Sequence, residues 1–207
     1  ISALGEYGIP FYVHGGTGFY HRQEVYDLTN ILSFLEYRHD NVSLAGILRS
    51  PYFGLPDTEL FHIAQESGRT LWDKLGKYAG RTGPGPATWA RDLLASWQTY
   101  AGRTGLVSLL RRILLESGVY TVYEALPAGK QILANIEKLV AIARAREEAG
   151  NYSLADFTTD LRLAMEEDER EGEAHLDALA ENAVNIMTVH AAKGLEFPIV
   201  FVPDMGM

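Results

Sequence analysis

The chain has 207 residues, 47% of them hydrophobic and 22% charged, which is the composition of a folded chain able to bury a core, not of a disordered or fibrous one. Its net charge of −9 excludes a surface that holds nucleic acid mainly by counterion release, so any such contact must be local. The absence of cysteine excludes disulfides, thiolate zinc sites and iron–sulfur clusters on this chain. No apolar run reaches the roughly 20 residues of a membrane helix, and no basic-then-apolar leader opens the sequence; a soluble cytoplasmic protein without membrane contact is expected.

The first element is a β-prone run, Ile9-Pro10-Phe11-Tyr12-Val13, ending in the glycine loop Gly15-Gly16-Thr17-Gly18. Val25, Leu28, Ile31, Leu32 and Leu35 then recur at helical spacing and predict a helix over Glu24–Tyr37, interrupted by the polar stretch 38–41. From Ser43 to Glu173 the Gly and Pro punctuation is that of several helices. Pro56-Asp57 marks a start, with the Asp57 carboxylate expected to accept from first-turn N–H groups. After the loop 81–86, Trp89, Leu93 and Trp97 form one stripe and are expected in the core. Leu106–Leu115 predicts a further helix, and Ile132, Ile136, Leu139, Val140 and Ala143 a long one; Gly118 and Gly150 suit C-terminal caps. Ser153 with Asp156 forms a capping-box pattern ahead of Phe157, Leu161 and Met165. The acidic run 166–173 reads as a solvated helix end or loop. Val184–Val189 and Ile199–Val202 read as short buried strands. The expected fold is therefore α/β plus all-α and predominantly helical, a helical insertion inside part of a parallel-sheet domain, because long insertions between neighbouring elements cost only slowly growing loop entropy.

Between the last two apolar segments runs Thr188-Val189-His190-Ala191-Ala192-Lys193-Gly194-Leu195-Glu196-Phe197-Pro198. Loops at strand ends are where α/β proteins place ligand contacts. Thr188 and His190 can donate to a phosphate, Lys193 supplies a positive charge, and Gly194 permits close approach of backbone to a ligand. Glu196, acceptor-only when ionised, suits a hydroxyl such as that of a ribose. Singly, each side chain is more often solvated or packed than functional; the whole run is far more specific.

From Asn185 to Val202 the sequence resembles, almost letter for letter, motif V of the UvrD, Rep, RecB and AddA type of superfamily 1 DNA helicases. Gly8–Val13 through Gly18-Phe19, then Arg22–Val25 and Asp27, resembles the segment that follows motif IV. Leu48–Gly54, and Leu126–Gln131 with Ala134-Asn135-Ile136, look specifically like AddA and RecB. The resemblance implies three parts: residues 1–42 as the first part of a RecA-like 2A motor domain, 43–183 as a helical 2B-like insertion, and 184–207 as the return to 2A. It further implies that Lys193, Gly194 and Glu196 contact ATP, with Glu196 on the ribose, and that Thr188 and His190 face the single-stranded DNA backbone. ATP and Mg2+ would serve the full-length enzyme. Partners would be single-stranded DNA and a duplex end, the remainder of the motor, and a partner helicase/nuclease subunit. No phosphate loop, no arginine motif IV or VI and no nuclease signature occurs here, so the fragment is expected to be inactive alone.

Other classes of function leave fainter marks. A helical module binding duplex DNA or another protein chain would use Arg111, Arg112, Lys138, Arg144 and Arg146, although a solvated helix face explains them as well. An independent enzyme built on His14, His21, His62 or His175 has no zinc-like spacing or nucleophile turn behind it. Base stacking on Trp72, Trp89, Trp97 and Tyr100 competes with their assignment to the core.

Overall fold

A computed structural model describes residues 18–126, 128–150, 153–167, 184–190 and 192–203, positions 4, 7 and 9, and the backbone of 11–13. Its order is β1 (Phe11–Val13), α1 (Gln23–Glu36), α2 (Asn41–Arg49), α3 (Asp57–Gln65), α4 (Leu71–Thr82), α5 (Pro86–Tyr100), α6 (Leu106–Glu116), α7 (Val119–Glu124), α8 (Gly129–Glu148), α9 (Leu154–Glu166) and β2 (Val184–Ile186). The loop 14–17 with His14, the acidic stretch 168–173 and His175 lie outside the described residues.

Helix α1 is the central member, packed against α2, α5, α8 and α9. Its predicted stripe of Val25, Leu28, Ile31, Leu32 and Leu35 is buried, and Phe34 adds a second buried face. Helix α6 repeats the logic more simply: Leu106, Leu109, Leu110, Ile113 and Leu114 fall at the i, i+3, i+4, i+7, i+8 positions that face a core. One continuous cluster runs from Phe19 to Ala164 through all these helices.

Local chemistry sets the helix ends. Ser153 and Asp156 form the expected reciprocal capping box, and Thr70 with Asp73 forms a second at the start of α4. Gly118 and Gly150, each just past a helix end, have φ of +68° and +100°, the left-handed cap geometry. At α3 the start falls where expected, but the expected side-chain cap does not form. Pro56 occupies the N-cap, Asp57 is the first helical residue, and no side chain caps the end; the Asp57 carboxylate instead pairs with Arg49 at 2.8 Å. Asp40 caps α2 through Ser43, and Arg162 of α9 donates to both Asp40 and Ser33. Partial burial would raise the Asp40 carboxyl, but the Ser43 bonds and Arg162 outweigh it and hold the group below its ordinary range.

Trp97 is fully buried, but Trp89 is 43% exposed, its ring T-shaped to that of Phe53. The buried face of α5 is Ala87, Ala90, Leu94 and Trp97, one position round from the predicted stripe, because small alanines there let the helix approach its neighbours closely.

The strands also depart from expectation. β1 and β2 pair in parallel, Phe11 with Val184 and Val13 with Ile186, and they form a two-stranded sheet with the helical body as their crossover. The second segment ends at Ile186 instead of Val189, and Ile199–Val202 is neither strand nor buried: Ile199 is 75% and Phe201 87% exposed. A strand needs a neighbour to take its backbone hydrogen bonds, and among the described residues none is offered to 199–202. The chain is thus predominantly helical, with strand among the described residues confined to one short pair.

The turn into α8 is set by one glycine. A Cβ on Gly129 would collide with the carbonyl oxygen of Tyr123 and press on the Glu124 backbone, so α7 and α8 meet only where a side chain is missing. Gly129→Ala should lower stability by about 1–3 kcal/mol. Gly76→Ala, in open space within α4, should raise it by about 0.5–1 kcal/mol. Chemical denaturation of both variants checks the contrast, and equal effects would show that the α7–α8 approach relaxes without cost.

Candidate functional site

The candidate residues sit just beyond β2. Thr188 ends the extended segment, and its carbonyl accepts from the N–H of Ala192 at 3.0 Å; the His190 carbonyl accepts from Lys193, and that of Ala192 from Leu195. These bonds fold the described residues on either side of position 191, from 188 to 195, into tight turns. Gly194 has φ +86° with open space around its missing Cβ, so its requirement is conformational and not steric. Thr188, His190, Lys193 and Glu196 are all exposed, and among the described residues Lys193 and Glu196 form no ion pair with each other or with anything else. The turn therefore presents an imidazole, an ammonium and a carboxylate to solvent from one short loop, with Thr188 exposed beside them. Glu196 is the single carboxylate among the five predicted residues, and among the described residues no group of three or more His, Asp or Glu side chains could hold a metal ion.

Two open grooves lie elsewhere, in the helical body. One of about 470 Å³ is lined by Tyr20, Arg146, Phe157 and Asp160 among others, and one of about 440 Å³ by Tyr26, Asp40 and Arg162 among others. Neither includes a residue of the turn.

Most basic side chains considered for duplex contact are already engaged. Arg111 donates a bidentate pair of 2.6 Å bonds to Glu137, which also accepts from Tyr120. These bonds to Arg111 hold the Glu137 carboxyl below its ordinary range and raise the guanidinium. Arg112 stacks 3.6 Å over Tyr100 and reaches Glu116, which takes the Trp97 indole N–H. Lys138 stands over Phe19, and Arg146 approaches Asp160 at 3.9 Å. His21 bonds Tyr26, and His62 is exposed on α3.

Sequence reasoning missed a buried polar cluster on α1. Glu24 accepts from Asn135 at 2.7 Å, and Asp27 accepts from Gln23 at 2.8 Å and Tyr123 at 3.3 Å. The available signal was two acidic residues interleaved with the apolar stripe, on the side of the helix that has to be buried.

The sequence matches the family described as the UvrD-like helicase C-terminal domain over residues 2–80 and 94–206. The chain belongs to that family. It is 31% identical, over 96% of its length, to the AddA chain of the ATP-dependent helicase/nuclease of Bacillus cereus strain B4264. The corresponding proteins of Bacillus cytotoxicus and Bacillus thuringiensis strain Al Hakam match at the same identity and coverage. The resemblance is thus to the AddA type among UvrD-like helicases. In each case the chain spans 17% of the relative's length.

Because Arg111 and Arg112 are committed within the helical body, neutralising them should leave unchanged the salt dependence of any DNA binding that the full-length protein shows, while Arg111→Ala costs stability on the order of 1 kcal/mol. Titration with duplex at several salt concentrations checks this; a slope reduced by about one per arginine would make them phosphate contacts.

Proposed function

We propose that this chain is the part of an ATP-dependent DNA helicase, of the helicase/nuclease kind acting in double-strand break repair and recombination, that supplies one wall of the nucleotide and single-stranded DNA site. The observation that carries the reading is the run from Asn185 to Val202, set on an exposed turn directly after a parallel strand in a chain of the UvrD-like family.

On this reading Glu196 accepts a hydrogen bond from the ATP ribose, and the Lys193-Gly194 turn, with its left-handed glycine, lies near the phosphates. Thr188 and His190 face the DNA backbone. Mg2+ would be bound by the nucleotide phosphates and by residues of the remaining motor, since Glu196 alone is no magnesium site. Residues 1–42 and 184–207 form pieces of a RecA-like 2A domain and 43–183 a 2B-like insertion. The pairing of β1 with β2 supports the two outer pieces meeting, and α1 is the element through which the first grips the insertion. The exposed run Ile199–Val202 supports a sheet completed by further segments of the motor, because apolar residues adjacent in sequence and open to water mark an interaction surface. Association with a partner helicase/nuclease subunit, in the cytoplasm, belongs to the same proposal.

In the full-length enzyme Glu196→Ala should weaken nucleotide use by about 1–3 kcal/mol, roughly 5- to 150-fold in kcat/KM for ATP, with thermal stability unchanged. Steady-state kinetics with saturating single-stranded DNA measure it. Unaltered ATP parameters would remove the ribose assignment. The 207-residue chain alone should show no DNA-stimulated ATPase; measurable turnover would refute the reading of it as an incomplete site.

A further inference from the structure

Helix α1 carries Glu24 and Asp27 one turn apart on the same face, both buried inside the helical body. The groups that hold them are neutral and come from three elements: Gln23 on α1, Tyr123 on α7, and Asn135 on α8, itself receiving a bond from Gln131. A second buried phenol, Tyr52 in the turn after α2, lies edge-on to Tyr123, and its hydroxyl has no hydrogen-bond partner. Two acidic groups and two buried tyrosines, Tyr52 and Tyr123, therefore share one interior region.

The charged groups of the surrounding helices are occupied elsewhere. Arg49 of α2 pairs with Asp57, and Arg91 and Asp92 of α5 with each other. Arg162 of α9 serves Ser33 and Asp40 at the far end of α1. On α8, Glu137 is taken by Arg111, and Lys138 is over Phe19. No cation among the described residues forms an ion pair with Glu24 or Asp27. An ionised pair here is a buried repulsion with only neutral donors to offset it.

We propose that Asp27, set beside Glu24, is a proton-operated latch that fastens α1 to the corner where α7 meets α8. With a proton on Asp27 the pair carries at most one charge, and the bonds to Tyr123 and Asn135 close the corner. When the proton leaves, two like charges face each other in the interior and the corner opens more readily. The position gives this a consequence: α1 is joined through residues 14–22 to β1, the strand paired with β2 ahead of the 188–196 turn. Loosening that corner therefore relaxes one of the contacts that hold α1, the helix that follows β1 in the chain. The inference does not depend on what the turn binds.

Burial first, and then the neighbouring Glu24 charge, raise the Asp27 carboxyl from 3.8 to about 6 against the opposing bonds from Gln23 and Tyr123. A folded-state value above the open-state value means that the closed corner holds the extra proton. Its stabilisation is present at acid pH and is lost as pH rises from about 3.8 through about 6.

Amide hydrogen exchange on the full-length protein tests the latch, with rates corrected for the intrinsic pH dependence. Protection across α1 should fall about tenfold between about pH 5 and pH 8. It should be independent of pH in Asp27→Asn and less dependent in Glu24→Gln. Carbon NMR of the Asp27 carboxyl in the unmutated protein gives a second readout that needs no variant, with an expected midpoint near 6. A flat wild-type profile, an equal slope in Asp27→Asn, or a midpoint near the ordinary 3.8 would each overturn it.

Discussion

Everything else in this structure is arranged around burying helix α1. Ten of its fourteen residues are buried, more than one amphipathic face can account for, and it touches α2, α5, α8 and α9. A helix covered on most sides must be apolar nearly all round or must have its polar groups satisfied internally. Here both solutions are used. Leu28, Ile31, Leu32 and Phe34 meet apolar neighbours, Thr29 bonds back to the Val25 carbonyl, and Glu24 and Asp27 are answered by Asn135, Tyr123 and Gln23. The glycine at 129 follows from the same constraint, because α7 and α8 must converge closely to bring Tyr123 and Asn135 to one helix.

Parts of this arrangement are legible in the sequence because they depend on near neighbours only. The i, i+3, i+4 spacing of α6, the Ser153–Asp156 box and the left-handed glycines at 118 and 150 are local rules, and the structure follows them. What escapes the sequence is long-range. Trp89 and Trp97 are equivalent by spacing, yet one is exposed and the other buried, because the face of α5 that approaches its neighbours is chosen by the alanines at 87 and 90. Asp57 has the composition of a cap but is recruited by Arg49 from the helix before it. Ile199–Val202 has the composition of a strand, but composition cannot supply the neighbouring strand that would bond it.

The candidate site divides along the same line. The turn 188–196 could be picked out by residue type and order, and its geometry adds the left-handed Gly194 and the outward placement of Thr188, His190, Lys193 and Glu196. An exposed turn of this kind is weakly defined alone: its Lys and Glu are hydrated, and little positions them until a ligand or neighbouring wall removes the water. That is a reason for the turn to be attached to something rigid. The parallel pair β1–β2 supplies one attachment through Val13 and Ile186, but three residue pairs make a short sheet.

The second attachment is indirect and runs through α1. Because α1 follows β1 in the chain and is enclosed on most sides, displacement at the strand pair has a covalent route into the helical body through the core residues Phe19 and Tyr20 and then the Glu24–Asp27 corner. An all-apolar contact at that corner would be tighter than this one, since buried acids held by neutral donors gain less than they lose on leaving water. Such a corner has discrete bonded and broken arrangements, as packed cores do, but its polar bonds cost less to break once water can replace them. A polar joint between α1 and the α7–α8 corner therefore trades stability for a defined closed geometry and a low cost of opening.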